Sequence, residues 1–345
     1  MKKTSKIMSL VLAGAMVLSM TACAGNTAET TSAAAKTQET AADTASKAEE
    51  TTGAEASESE TAAKAEGTTY KIGVLQLVQH TALDAANDGF IAALDDAGIA
   101  YEVDQQNASG DQSACQTVAS KFANEKKDLI LAIATPAAQA MVGAVEDTPV
   151  LITAVTDPAE SGLVDTNEKP GANVTGTSDL TPVKEQIDLL KQLVPEAKTV
   201  GVLYCSAESN SKIQADMAKE AIAAAGMESK EYTVSSSNEI QTVVQSMVGA
   251  VDAVYAPTDN VIAAGMATVG MVAGDNNLPV ICGEAGMVQN GGLATYGIDY
   301  YQLGYMTGQQ AVKILTEGAS PADMPIEYLP AEKCELTVNE ETAQD

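Results

Sequence analysis

From Tyr70 onward the chain alternates short β-branched runs with amphipathic stretches, and the alternation runs twice. Candidate strands in the first pass are Lys71–Gln76, Tyr101–Gln106, Asp128–Ile133, Pro149–Thr153 and Asn173–Gly176. The second pass offers Thr199–Tyr204, Glu228–Val234, Asp252–Tyr255, Pro279–Cys282 and Gly292–Tyr296. Helical periodicity lies between them, over Leu83–Ala97, Gln112–Asn124, Ala137–Val145, Val183–Leu193, Lys212–Ala225, Glu239–Val248 and Val261–Gly274. Gly98 and Gly226 stand where a helix ends before a strand, as C-terminal glycines do. Strand–helix alternation of this kind implies parallel sheets covered on both faces by helices, an α/β class. The seam falls near Ser178–Pro182. Each pass opens alike, with Lys71-Ile-Gly-Val-Leu-Gln76 and Thr199-Val-Gly-Val-Leu-Tyr204, so two similar lobes are expected. After Gly297 come one long helix, Tyr301–Leu315, and two short β-rich segments, Ile326–Leu329 and Glu335–Val338. If these recross between lobes they form a multi-crossing hinge; two independent domains in tandem are the alternative.

The chain before Tyr70 has a different character. Lys2, Lys3 and Lys6 precede an uncharged apolar run from Ile7 to Met20, too short for a membrane span of about 20 apolar residues and fitting an export signal. Residues 24–67 hold no large apolar side chain. Such a segment buries too little surface to offset its ordering entropy, and it reads as a disordered acidic tether. The formal charge of −28 argues against nucleic acid, whose phosphates need basic patches. The sequence contains no Arg and no Trp. A ligand carboxylate must therefore be held by backbone N–H groups, hydroxyls, amides or Lys. Cys115, Cys205, Cys282 and Cys334 are far apart with no CxxC, which points away from metal and leaves any disulfide unassigned.

In open parallel sheets ligands bind beyond the carboxyl ends of the strands. The loops there are polar in both passes and carry Gln76 and His80, Thr135, Thr156 and Asp157, Ser178 and Asp179, Glu208, Asp259 and Asn260, and Glu284. These are the candidate ligand-binding residues. Thr135-Pro136 reads as an N-cap hydroxyl before a first-turn Pro, at a helix start whose free N–H groups suit a carboxylate. Asp259, after Pro257, reads equally as an N-cap and as a partner for a ligand ammonium. His80 is the single histidine, with no GxSxG elbow, no GxGxxG after the first strand and no GxxxxGK elsewhere. A cap or cleft-wall role suits it better than catalysis, and Gly283-Glu-Ala-Gly286 reads as a turn.

Several runs together carry a family resemblance. They include Lys71–Gln76, His80-Thr-Ala-Leu-Asp84, Thr153-Ala-Val-Thr-Asp157-Pro158, Pro170-Gly-Ala-Asn-Val-Thr-Gly176 and Pro257-Thr-Asp-Asn260. With Glu208–Ser211 and Gly291–Tyr301, they resemble the ABC-transporter substrate-binding proteins related to tryptophan and tyrosine uptake. Met20-Thr-Ala-Cys23 likewise resembles a lipobox, in which the signal is cleaved before a Cys that then carries lipid.

The resemblance implies a type I periplasmic-binding fold of two doubly wound lobes, with no cofactor and no reaction on the ligand. Its hydroxyl positions would be Thr135, Thr156 and Ser178, and its polar cluster Asp157, Asp179, Asp259 and Asn260. It implies a monomer that passes a small ligand, an amino acid such as tryptophan or tyrosine, to a permease and its ATPase. The expected layout is a signal peptide over 1–22, a lipidated Cys23 with linker to 67, and one lobe from 68–178 with about 299–326. The other lobe would take 179–298 with about 327–345. A ligand-sensing lipoprotein of the same fold, or an exported enzyme pairing Asp157 with Glu208, are the other readings.

Overall fold

The computed structural model describes residues 67–344, so the expected signal peptide, Cys23 and nearly all of the linker lie outside the described residues. Two six-stranded sheets divide the rest. The first half of the chain runs β1 (Tyr70–Gln76), α1 (Thr81–Asp96), β2 (Tyr101–Asn107), α2 (Gln112–Glu125), β3 (Leu129–Ile133), α3 (Thr135–Val142), β4 (Val150–Val155) and β5 (Val174–Ser178). The second half runs α4 (Val183–Leu193), β6 (Thr199–Cys205), α5 (Ser209–Ala224), β7 (Glu228–Val234), α6 (Ile240–Met247), β8 (Ala253–Ala256), α7 (Asn260–Ala264), α8 (Met266–Gly274), β9 (Val280–Cys282), α9 (Ala285–Gln289) and β10 (Ala294–Gly297). The chain closes with α10 (Tyr300–Glu317), β11 (Glu327–Tyr328) and β12 (Glu335–Val338).

The sheets repeat one plan, β11-β5-β4-β3-β1-β2 and β12-β10-β9-β8-β6-β7. The two echoing opening strands, β1 and β6, hold the same place in each. All pairs are parallel except β10 with β12. Central strands are continuously apolar and buried, Leu-Ile-Leu-Ala-Ile in β3 and Val-Leu-Ile-Thr-Ala-Val in β4, as strands covered on both faces must be. The edge strands β2 and β7 are polar, β2 partly and β7 mostly exposed, which discourages pairing with another chain. On β6 alternate residues serve opposite faces: Leu203 and Cys205 join Val244 and Val254, whereas Val200, Val202 and Tyr204 join Ile187 and Tyr255. Phe90 and Phe122, the two phenylalanines, are fully buried in the first core.

Three segments join the lobes. The chain passes to the second lobe after β5, returns with α10, and passes over again between β11 and β12. β11 pairs with β5, so residues 327–328 belong to the first sheet and the last passage comes later than the sequence suggests. Because α10 packs on α1, the first lobe is completed by chain that has already visited the second. Gly304 and Gly89 make that packing possible: a side chain at Gly304 would meet the Ala86 backbone, and one at Gly89 the Tyr301 carbonyl. Two local expectations are corrected. The helix expected over Val261–Gly274 breaks at Gly265, against which the Ile240 side chain rests. The turn expected at Gly283–Gly286 is the start of α9, capped by Glu284.

Candidate functional site

The carboxyl ends of both sheets face one crevice, lined from the first lobe by His80, Leu83 and Ala154 and from the second by Asn210, Thr258, Asp259, Asn260 and Glu284. Asp179 and Tyr300 enter it from the first two passages between lobes. The lobes touch directly across it. His80 Nε2 lies 3.3 Å from Asn260 Oδ1, and Gln139 Nε2 donates to Ser209 Oγ at 3.3 Å. The crevice widens outward into a groove of about 590 Å³ walled by Leu77, Pro136, Glu208, Asn260 and the Ser235–Asn238 loop.

Four buried carboxyl groups dominate the chemistry. Asp179 Oδ2 accepts from Tyr300 OH at 2.7 Å and Oδ1 from Thr156 Oγ1 at 3.3 Å. Burial nevertheless pushes this carboxyl up to about 6, because the charged form loses its water. Glu208 Oε2 accepts from the amides of Asn210 at 3.1 Å and Asn260 at 2.6 Å. Burial, with Asp259 beside it, pushes Glu208 up to about 7. Asp259 caps α7, its Oδ1 accepting from Ile262 N at 2.8 Å and its Oδ2 from Cys205 N at 2.5 Å, and burial raises it too. Glu284 caps α9 by accepting from the Met287 N–H at 2.8 Å and from that of Gly286, and burial and the Asp179 charge push it up to about 7.

No lysine lines the crevice, and the chain has no arginine. The ion pairs among the described residues, such as Lys184–Asp188 and Lys219–Glu231, lie on the surface. Three of the four carboxyl groups line the crevice and the fourth, Glu208, lines the adjoining groove, with no cationic side chain to offset them. The network also sets the protonation of His80. Glu208 accepts the Asn260 amide NH2, so Asn260 presents Oδ1 to His80, which donates from Nε2. Nδ1 is then a buried acceptor without a partner, and burial holds the imidazole below its usual pKa, which favours the neutral ring.

The other expected residues are placed differently. Gln76 ties the loop after β1 to its own lobe, donating to Val78 O at 2.9 Å and Asp84 Oδ1 at 2.6 Å. Asp157 accepts from Ala159 N at 3.1 Å, Glu160 N at 3.1 Å and Asn167 Nδ2 at 3.0 Å, a turn within the first lobe, and does not meet Glu208. Ser178 donates to Thr156 O at 2.6 Å and fastens the first passage. Thr135 is not the cap of α3: Ala134, at φ 83°, holds that position, a strained one for a residue with a side chain. The Thr135 hydroxyl is buried without a partner at the helix start. Sequence reasoning passed over Tyr300, Asn210 and Thr258. All three lie in runs that carry the family resemblance, Glu208–Ser211, Pro257–Asn260 and Gly291–Tyr301.

A profile of the ABC transporter substrate binding protein family matches residues 71–345. The chain belongs to that family. Its members are extracytoplasmic substrate-binding proteins for small ligands, not enzymes. This substrate-binding protein is 41% identical over 348 residues, 99% of the chain and 92% of the relative, to the Tyrosine-binding protein of Clostridioides difficile (strain R20291). An ABC domain from Streptococcus pneumonia in complex with L-Trp is 39% identical with a TM-score of 0.78, over 80% of this chain and 94% of that one. A ligand-free, open substrate binding protein with adhesive properties from Clostridium difficile is 47% identical over the same shares, yet superposes at only 0.62. The better superposition on the less similar sequence agrees with lobes that touch each other here. A sugar transporter subunit from Rhodobacter sphaeroides, 13% identical with a TM-score of 0.58, shares the type I periplasmic-binding fold alone.

Proposed function

We propose that this substrate-binding protein is a lipoprotein, tethered through Cys23, that captures an aromatic amino acid by hinge closure and hands it to a membrane permease. The observation that carries the ligand class is the crevice itself: Asp179, Asp259 and Glu284 line it, Glu208 stands at the adjoining groove, and no lysine or arginine accompanies them. An ammonium group answers that arrangement, and the unpartnered Nδ1 of His80 is a further acceptor for it. The start of α3, with free N–H groups and the unpartnered Thr135 hydroxyl, suits the carboxylate at the other end of a zwitterion. The tyrosine and L-Trp in the names of two relatives point to an aromatic side chain. Because contacts come from both lobes, binding favours the closed arrangement, which a permease can distinguish from the open one. The run Met20-Thr-Ala-Cys23 after an apolar signal and the uncharged-to-acidic linker behind it support the anchor.

Isothermal titration at pH 7.5 with a panel of L-amino acids is expected to show one-to-one binding of tyrosine or tryptophan, and weak or no binding of N-acetylated forms. Silence across the whole panel would remove the ligand reading. Mass spectrometry of the chain extracted from membranes is expected to find Cys23 as the first residue, bearing diacylglycerol; an unmodified mature chain in the medium would remove the anchor.

A further inference from the structure

One buried amide is shared by both lobes. Gln214 lies on α5 in the second lobe and is fully buried. Its Nε2 donates to Thr156 Oγ1 in the first lobe at 2.9 Å, shorter than the His80–Asn260 and Gln139–Ser209 bonds that also span the lobes. The rest of the amide is held by its own lobe: Nε2 also reaches Thr258 Oγ1, and Oε1 accepts from Thr258 N at 3.4 Å. Thr156 is held as firmly on its side. With its lone pair taken by Gln214, its hydroxyl proton goes to Asp179 Oδ1, and Asp179 in turn accepts from Tyr300 OH. A chain of hydrogen bonds thus runs from a second-lobe helix, across the crevice, to both residues that enter it from the passages between lobes. Tyr300 and Asp179 sit at those passages, so hinge motion moves them little relative to each other. Gln214 and Thr156 belong to different lobes, and theirs is the link that opening must break. Gln214 does not line the crevice.

We infer that Gln214 is a closure latch: a positioning residue that never touches the ligand but, through Thr156, sets how long the closed state lasts. The inference rests on capture by hinge closure. In the open state both groups regain water, so the bond shifts the balance modestly, by roughly five- to tenfold. Such a bond is made on closure and must break before release, so its loss shows chiefly in the dissociation rate.

The test uses Gln214→Met and Thr156→Val, each close to isosteric, singly and combined, with L-tyrosine and L-tryptophan as probes. Each single variant is expected to raise the dissociation rate roughly five- to tenfold without slowing association, and to increase the radius of gyration of the ligand-free protein in solution scattering. The combined variant should fall short of the product of the two, because both remove the same bond. Unchanged dissociation rates, multiplying effects, or a lowered Tm with no change in solution shape would each overturn the latch. Should Gln214→Met fail to fold, Thr156→Val carries the same readouts. If the parent protein binds neither amino acid, the ligand reading fails, and the solution shapes of parent and variants still decide the latch.

Discussion

Asp179→Asn is expected to weaken binding of L-tyrosine and L-tryptophan by roughly a hundredfold or more, since truncating one partner of a buried charge pair commonly costs 2–5 kcal/mol or more. The variant keeps the shape of the site and an oxygen for Tyr300, so the loss reports on charge and not on collapse. Opposite behaviour is expected without ligand. The Asp179 carboxyl is buried with hydroxyl partners and no cation, and that environment opposes its ionisation. Replacing it by a neutral amide should raise stability at neutral pH by about 1 kcal/mol, as neutralising unpaired buried charge often does. Calorimetric titration and thermal unfolding of the same preparation check both signs. N-acetyl-L-tyrosine, which has no ammonium, should not distinguish parent from variant. Equal affinity for free L-tyrosine in parent and variant would show that Asp179 is not the acid that meets the ammonium.

Ligand-free protein is expected to melt roughly 5–10 °C higher at pH 5 than at pH 8, the reverse of ordinary acid destabilisation. The sign follows from groups whose folded pKa is raised. Asp179 stands at about 6, Glu208 and Glu284 at about 7, and Asp259 is raised as well, against values near 4 in an unfolded chain. The unfolded state loses those protons first. The contribution of such groups is therefore complete below about pH 4 and is lost as pH rises through 6–7. His80 works the other way, since its folded pKa is lowered and charging it opposes the fold below its usual value of 6.5, but it is one group against four. Depressed carboxyls such as Asp104, held between Lys121 and Lys127, lose their benefit only at much lower pH. A ligand ammonium would restore the charge on the acids and expel protons, so the binding enthalpy should differ between phosphate and Tris buffers. A melting temperature that is flat or highest at pH 8 would show that these acids are not strained by burial.

The α/β class, the doubled plan and the polar loops at the strand ends were all legible in the residues. Strand and helix periods report whether a face is buried, and they do so locally; β7 and α4 fall on the expected residues. The capping reading of Asp259 was legible for the same reason, since a cap bonds to N–H groups three residues on. Glu284 was harder, because a five-residue helix leaves too little periodicity to read.

What the chain determined by itself is therefore the order of elements and the polarity of each loop, properties set by neighbours within a turn or a strand. Which polar groups meet was decided only in three dimensions. Asp157 and Asp179 look alike in sequence, yet one folds back on its own turn and the other meets Tyr300, 121 residues away. Thr156 and Gln214 are joined across 58 residues. Such pairings depend on strand order and on where the chain passes between lobes, and no local period carries that information.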